Sequence, residues 1–151
     1  MGDSNTGDNS VRVLVIEDNP DDRELLLRQL RKSGMDSHVK FIADGKEALD
    51  FLTGPLAPPP ESLIAILLDL RLPSLPGLEL LRRLRARGNF RNVPVMVMTS
   101  SNDPNDLEEC RKLKVINYVT KPITFSSFSK AVADVFHPRL PGPGSLENSV
   151  T

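Results

Sequence analysis

Apolar residues along this chain gather into short β-branched or aliphatic runs, separated by stretches with helical spacing, and each run stops at a polar residue. Val11 to Ile16 (VRVLVI) runs into Glu17-Asp18, the pattern of a buried strand ending in a polar loop. Asn19 and Pro20 then suit an N-cap and a first helical residue, and Asp21, Asp22 and Glu24 place negative charge in the first turn, where the helix dipole favours it. The spacing predicts a helix to about Ser33, ended by Gly34. Ser37 to Ala43 alternates as a second strand, and Asp44-Gly45 opens a helix over Lys46 to Leu52. Pro55, Pro58, Pro59 and Pro60 exclude regular structure between Thr53 and Ser62 and predict an extended loop.

Leu63 to Leu68 (LIAILL) is continuously apolar, as in a strand covered on both faces, and it ends in Asp69. Beyond Pro73 and Pro76-Gly77, a helix from Leu78 to about Arg87 turns Leu78, Leu81 and Leu84 to the core, and Gly88 closes it. Val93 to Met98 (VPVMVM) is a strand running into Thr99-Ser100-Ser101. A helix from about Asp103 to Leu113 follows, then a short strand, Ile116 to Thr120, before Lys121-Pro122. Thr124 caps a last helix, Phe125 to Phe136, which His137-Pro138 terminates. Five strands alternating with five helices predict an α/β fold, a doubly wound five-stranded parallel sheet with helices on both faces, because parallel strands require crossover connections. In such sheets ligands bind outside the carboxyl ends of the strands.

Composition narrows the setting. A chain of 151 residues suits one domain. Lys+Arg of 19 against Asp+Glu of 20, with 39% hydrophobic residues, argue against disorder and give no reason to expect a nucleic-acid partner. No apolar run is long enough to span a bilayer, so no membrane association is expected. The N-terminus lacks the basic start and apolar stretch of a secretory signal. Met1-Gly2-Asp3-Ser4-Asn5-Thr6 fits an N-myristoylation pattern, but its acidic character and the absence of a polybasic second signal favour a disordered leader over residues 1–9. Cys110, the single cysteine, permits no intrachain disulfide and fits a reducing, cytoplasmic setting. Within its helix it reads as a packing residue. Met96 and Met98 read as core, and His38 and His137 lack partners at metal-ligand spacing. Arg82, Arg83, Arg85, Arg87 and Arg91 interleave with leucines without stacking aromatics and read as a solvated face. Residues 138–151 read as a flexible Pro/Gly-rich tail with no output domain after a domain over residues 10–137.

The strand ends carry the chemistry. Glu17, Asp18, Asp69, Thr99 and Lys121 would converge on one rim. Three clustered carboxylates repel one another unless a cation neutralises them, and oxygen-only ligands suit Mg²⁺. With a hydroxyl and an ammonium beside them, they are the parts of a phosphoryl-transfer site: a carboxylate nucleophile, a divalent ion, and donors for the equatorial oxygens.

The stretches VLVIEDNPDD, LLDLRLPSLPGLELL, VPVMVMTSS and NYVTKPIT stand in this order, with Thr99 following Asp69 by 30 residues and Lys121 following Thr99 by 22. In this, about residues 10–137 resemble the response-regulator receiver domain of two-component signalling. The Pro-rich loop and the segment DPNDLEECRKLKV are most similar to the small stand-alone receivers that partner bacterial phytochromes. The resemblance implies a flavodoxin-like (βα)5 fold with strand order 2-1-3-4-5. It implies that Asp69 is the phosphoacceptor, and that Glu17, Asp18, Asp69 and the backbone carbonyl of Arg71 hold Mg²⁺, or Mn²⁺ in its place. Thr99 and Lys121 would bind phosphoryl oxygens, Tyr118 would be the switch aromatic, and Arg71 and Ser101 would stand at two positions that influence how fast the acyl phosphate hydrolyses. Where the family often has Asp-Asp this chain has Glu17-Asp18, which keeps the charge but reaches further.

The implied partners are a histidine kinase of the bacteriophytochrome type and a second copy of the chain, docked through the fourth helix, fifth strand and fifth helix. The implied activity is that of a phosphoacceptor with at most slow self-dephosphorylation, rather than an enzyme. In the family the first helix docks on the kinase. At 100° per residue Leu26 and Leu27 fall within about 60° of Leu30 while Leu25 points about 140° away, so Leu25 is expected to be exposed and, with Asp22, to touch the kinase. A haloacid-dehalogenase-like phosphatase is disfavoured by Arg71, which stands where that family has a second aspartate, and by the lack of cap-domain length. A phosphorylation-independent pseudo-receiver is disfavoured by the complete set of acids, hydroxyl and lysine.

Overall fold

In the structure, a computed structural model that describes residues 11–136, five strands form one parallel sheet. They are β1 (Val13–Ile16), β2 (Val39–Ile42), β3 (Ala65–Asp69), β4 (Val95–Thr99) and β5 (Asn117–Thr120), in the order β2-β1-β3-β4-β5. Registers Ile16↔Leu68, Asp69↔Met98 and Thr99↔Thr120 bring the carboxyl ends of the three middle strands to a common rim. The helices are α1 (Pro20–Lys32), α2 (Gly45–Thr53), α3 (Gly77–Ala86), α4 (Pro104–Lys112) and α5 (Phe125–Phe136). This is the flavodoxin-like, doubly wound arrangement with strand order 2-1-3-4-5.

Successive strand residues point to opposite faces, so each buried strand feeds two cores. Leu14, Ile16, Ile66, Leu68, Val95 and Val97 pack beneath Ala48, Leu52, Leu80, Leu81, Leu84 and Cys110 of α2, α3 and α4. Val13, Val15, Ala65, Leu67, Met96, Met98 and Val119 pack against Leu26, Leu30, Phe128 and Ala131 of α1 and α5. Side-chain caps start α1, α2 and α5: Asn19 Oδ1 accepts from the Asp21 and Asp22 amides, Asp44 Oδ1 from the Glu47 amide, and Thr124 Oγ1 from the Ser127 amide. Gly34 takes the left-handed conformation expected past α1, with φ 75°.

Several expectations are corrected. β2 begins later than expected, since Asp36–His38 forms a 3₁₀ turn, and β1 begins at Val13 rather than Val11. β3 and β4 end one residue later, taking Asp69 and Thr99 into the sheet, because the parallel ladder runs on through the polar rim. The Pro-rich loop is not wholly extended: Pro60–Ser62 forms one 3₁₀ turn, with proline at a position that needs no amide donor. α3 buries Leu80, Leu81 and Leu84 and leaves Leu78 half-buried, while Gly88 starts a 3₁₀ turn, Gly88–Phe90, rather than closing the helix. Arg85 is not part of a solvated face. Its guanidinium donates to the carbonyls of Leu113 (2.8 Å), Phe90 (3.0 Å) and Val93 (2.8 Å), tying α3 to the segments flanking β4 and α4.

Leu25 is not exposed either: it is half-buried and packs on the core under α1 and α5, and Leu27 is half-buried too. The buried stripe of α1 consists of Leu26, Gln29 and Leu30, and burial of the polar Gln29 swings its centre by about 50° away from Leu30. Leu25 and Leu27 therefore flank it on opposite sides. The leader, the myristoylation pattern, His137 and the tail lie outside the described residues.

Candidate functional site

Glu17 follows β1 directly and is fully buried, its Oε2 accepting from the Asn19 amide at 3.0 Å. Asp69 is the last residue of β3, nearly as buried, with Oδ1 accepting from the Arg71 amide at 3.0 Å. Asp18 is exposed at the rim. One carboxylate oxygen from each of the three lies within 4.8 Å of the others. The connection after β3 is held in place by close packing. The Gly77 amide donates to the Leu70 carbonyl at 2.9 Å, and a β-carbon at Gly77 would fall 2.6 Å from Leu70 Cα and closer still to the Asp69 carbonyl oxygen. Ser74, with φ 70°, donates its hydroxyl to Asp44 Oδ2 at 2.6 Å and so fastens this loop to the start of α2.

Lys121 closes the site from beyond β5. Its Nζ lies 2.9 Å from Glu17 Oε1, 3.0 Å from Asp69 Oδ2 and 2.7 Å from Asp22 Oδ2. Burial disfavours the charged lysine, but the hydrogen bonds of Asp22, Glu17 and Asp69 outweigh it and hold Lys121 above its ordinary pKa. Burial likewise disfavours the ionised form of Glu17. Lys121 and the Asn19 amide only partly offset this, and neighbouring Asp69 adds to it, so the Glu17 carboxyl is pushed up to about 7.

The donor set fits a divalent cation. Glu17 Oε1 is buried and accepts no hydrogen bond among the described residues, its contact with Lys121 being an ion pair outside hydrogen-bonding angles. A buried acceptor left in that state is the kind of group a cation satisfies. The ligands on offer are all oxygen, which suits a hard ion, and exposed Asp18 leaves one side open for the waters that Mg²⁺ retains.

The other expected residues are placed as follows. Thr99 is fully buried at the end of β4, with Oγ1 accepting from the Ser101 amide at 3.2 Å. Ser101 is buried and turns its hydroxyl to α4, donating to Asp106 Oδ2 at 2.6 Å and accepting from the Asp103 amide. Tyr118 on β5 is half-buried, and its phenol donates to the Ser101 carbonyl at 2.9 Å, so Thr99 and Tyr118 both grip the backbone of residue 101. Burial raises the Tyr118 phenol above its ordinary pKa. Arg71 is exposed just past β3. Asp22, expected as a kinase contact, faces Lys121. Its pairing with Lys121 is not among the sequence expectations, though its position in the first turn of a helix starting at the rim is a signal that it can reach the strand ends.

Comparison with known proteins gives this arrangement a family. The response regulator receiver domain matches residues 13–133. The chain belongs to that family.

The receiver is 30% identical over 125 residues to the response regulator Rcp1 of Synechocystis, with 82% of this chain and 84% of Rcp1 covered. The solved Mn²⁺-bound form of Rcp1 superposes with a TM-score of 0.71, covering 83% of this chain and 93% of that one. The bacteriophytochrome response regulator AtBRR is 38% identical, with a TM-score of 0.65, covering 83% of this receiver and 92% of its own chain. The bacteriophytochrome response regulator RtBRR is 35% identical, with a TM-score of 0.69 and coverage of 91% and 87%. Against rice two-component response regulators, the receiver spans 49% of the relative's length. No helix among the described residues is long and apolar enough to cross a membrane.

Proposed function

We propose that this receiver takes a phosphoryl group onto Asp69 from the phosphohistidine of a histidine kinase and changes its surface in response. The observation that carries the reading is the buried Asp69 carboxylate at the end of β3, 3.0 Å from Lys121 and grouped with Glu17 and Asp18. A carboxylate oxygen of Asp69 attacks phosphorus, the P–N bond to the imidazole breaks as the P–O bond forms, and the imidazole leaves and takes up a proton. Glu17, Asp18, Asp69 and the Arg71 carbonyl would hold Mg²⁺ or Mn²⁺, which when bound neutralises charge on the transferring oxygens. Lys121 supplies an ammonium to the phosphoryl group, and Thr99 a hydroxyl donor once it leaves the Ser101 amide.

Because Thr99 and Tyr118 meet at the backbone of residue 101, displacement of the first loosens the anchor of the second. That shared anchor carries the change to α4 and β5. Leu107 on α4, 50% exposed, and Ile116 beside β5, 45% exposed, support a homodimer through α4, β5 and α5. Arg71, two residues past Asp69, and Ser101, two residues past Thr99, tune slow hydrolysis of the acyl phosphate. The similarity to the bacteriophytochrome regulators AtBRR and RtBRR supports a phytochrome histidine kinase as donor, in the cytoplasm.

The test is transfer of labelled phosphoryl from an autophosphorylated bacteriophytochrome kinase. Label is expected to reach the native receiver and not Asp69→Asn. Transfer to both, or to neither, overturns the proposal.

A further inference from the structure

Lys121 is held by three carboxylates, and they are not equivalent. Its contact to Asp22 Oδ2, at 2.7 Å, is shorter than those to Glu17, at 2.9 Å, and Asp69, at 3.0 Å. Its Nζ donates to Glu17 Oε2 and Asp69 Oδ2, each at 3.0 Å, and is ion-paired with Asp22; an ammonium has three N–H donors, enough for one toward each carboxylate. Glu17 and Asp69 also belong to the trio whose oxygens converge with Asp18, whereas Asp22 stands outside it, on the first turn of α1. A divalent cation and Lys121 therefore compete for Glu17 and Asp69, while Asp22 is left to the lysine.

We propose that Asp22 is the positioning residue for Lys121, retaining the ammonium on the α1 side when a cation takes Glu17 and Asp69. The lysine then yields that pair without leaving the site and keeps two N–H donors for an anion on Asp69. Without Asp22, it has only the cation's own ligands for partners and must be displaced from both. The inference rests on the phosphoacceptor reading above.

The test is a double-mutant cycle on Mg²⁺ affinity, measured by titration calorimetry on the native chain, Asp22→Ala, Lys121→Met and the double variant. Asp22→Ala is expected to weaken Mg²⁺ binding on the order of tenfold in the native background, and at least about threefold less when Lys121 is already methionine. Asp22→Ser gives the same cycle if the alanine variant unfolds. Equal weakening in both backgrounds, the mark of a charge acting through space, overturns the inference, as does no weakening in the native background. Incubation of the native protein with acetyl phosphate separates the two levels. If Asp69 is not phosphorylated the phosphoacceptor reading itself fails; if it is phosphorylated while the cycle is additive, only the role of Asp22 fails.

Discussion

Glu17 makes the stability of the metal-free protein fall as pH rises. Burial lifts its carboxyl from 4.5 to about 7 in the folded state, so between those values the folded chain binds more protons than the unfolded one. A carboxyl with a raised folded-state pKa contributes least once both states are ionised, so stability declines from pH 4.5 upward and levels off above 7. At about 1.4 kcal/mol per pH unit the full decline is about 3 kcal/mol, of which roughly 2 to 3 falls between about pH 5 and about pH 8. That is a substantial part of a typical domain stability of about 5–15 kcal/mol. The chain contains no tryptophan, so urea unfolding in chelator is best followed by far-UV circular dichroism. The native protein is expected to lose this amount across that range, and Glu17→Gln to lose markedly less. Mg²⁺ at a hundred times its dissociation constant should return about 2.7 kcal/mol at the alkaline end, and less at the acid end, where protonated Glu17 binds metal poorly. An identical pH slope in native and Glu17→Gln, or equal stabilisation by Mg²⁺ at both ends, would refute the reasoning.

Three further outcomes follow from the packing. Gly77→Ala gains up to about 1 kcal/mol of helix propensity but drives a methyl into the Asp69 and Leu70 backbone, so thermal unfolding should show a net loss of about 1–3 kcal/mol. Gly88→Ala, with no heavy atom within 4 Å of the added carbon, should change little by comparison. Arg85→Met strips donors from the carbonyls of Leu113, Phe90 and Val93 and should cost about 3 kcal/mol in urea unfolding, with Arg85→Lys recovering less than half because a point charge cannot span three acceptors. Cys110 is buried, and desolvation, aided by Asp106 and Glu109, pushes its thiol up to about 11, so labelling by a thiol reagent near neutral pH should track the unfolded fraction in urea; rapid labelling of the folded protein would contradict its placement.

Asp69 and its neighbours were legible because each lies where an apolar run meets a polar residue. Asp69 closes LIAILL, Thr99 closes VPVMVM, and a parallel sheet brings such ends together whatever its loops do. The pairing of Asp22 with Lys121 was not legible because the two are 99 residues apart, and a first-turn acid is fully accounted for by the local dipole. Leu25 was misjudged because burial of a glutamine rotated the helix relative to its leucines. Among the arginines of 82–91, only the packing of α3 against the segments flanking β4 and α4 decides that Arg85 meets carbonyls while Arg82 and Arg83 meet Glu79. Periodicity resolves which face of an element is apolar. It does not resolve which polar residue on the border of that face finds a distant partner.

The mass of the peptide carrying Asp69, read after incubating the protein with acetyl phosphate and Mg²⁺, bears most directly on the assignment of this aspartate. One added phosphoryl group is expected on that peptide in the native chain, and none in Asp69→Asn or when the divalent ion is chelated. An adduct that persists in Asp69→Asn, or a native chain that gains none, would contradict it.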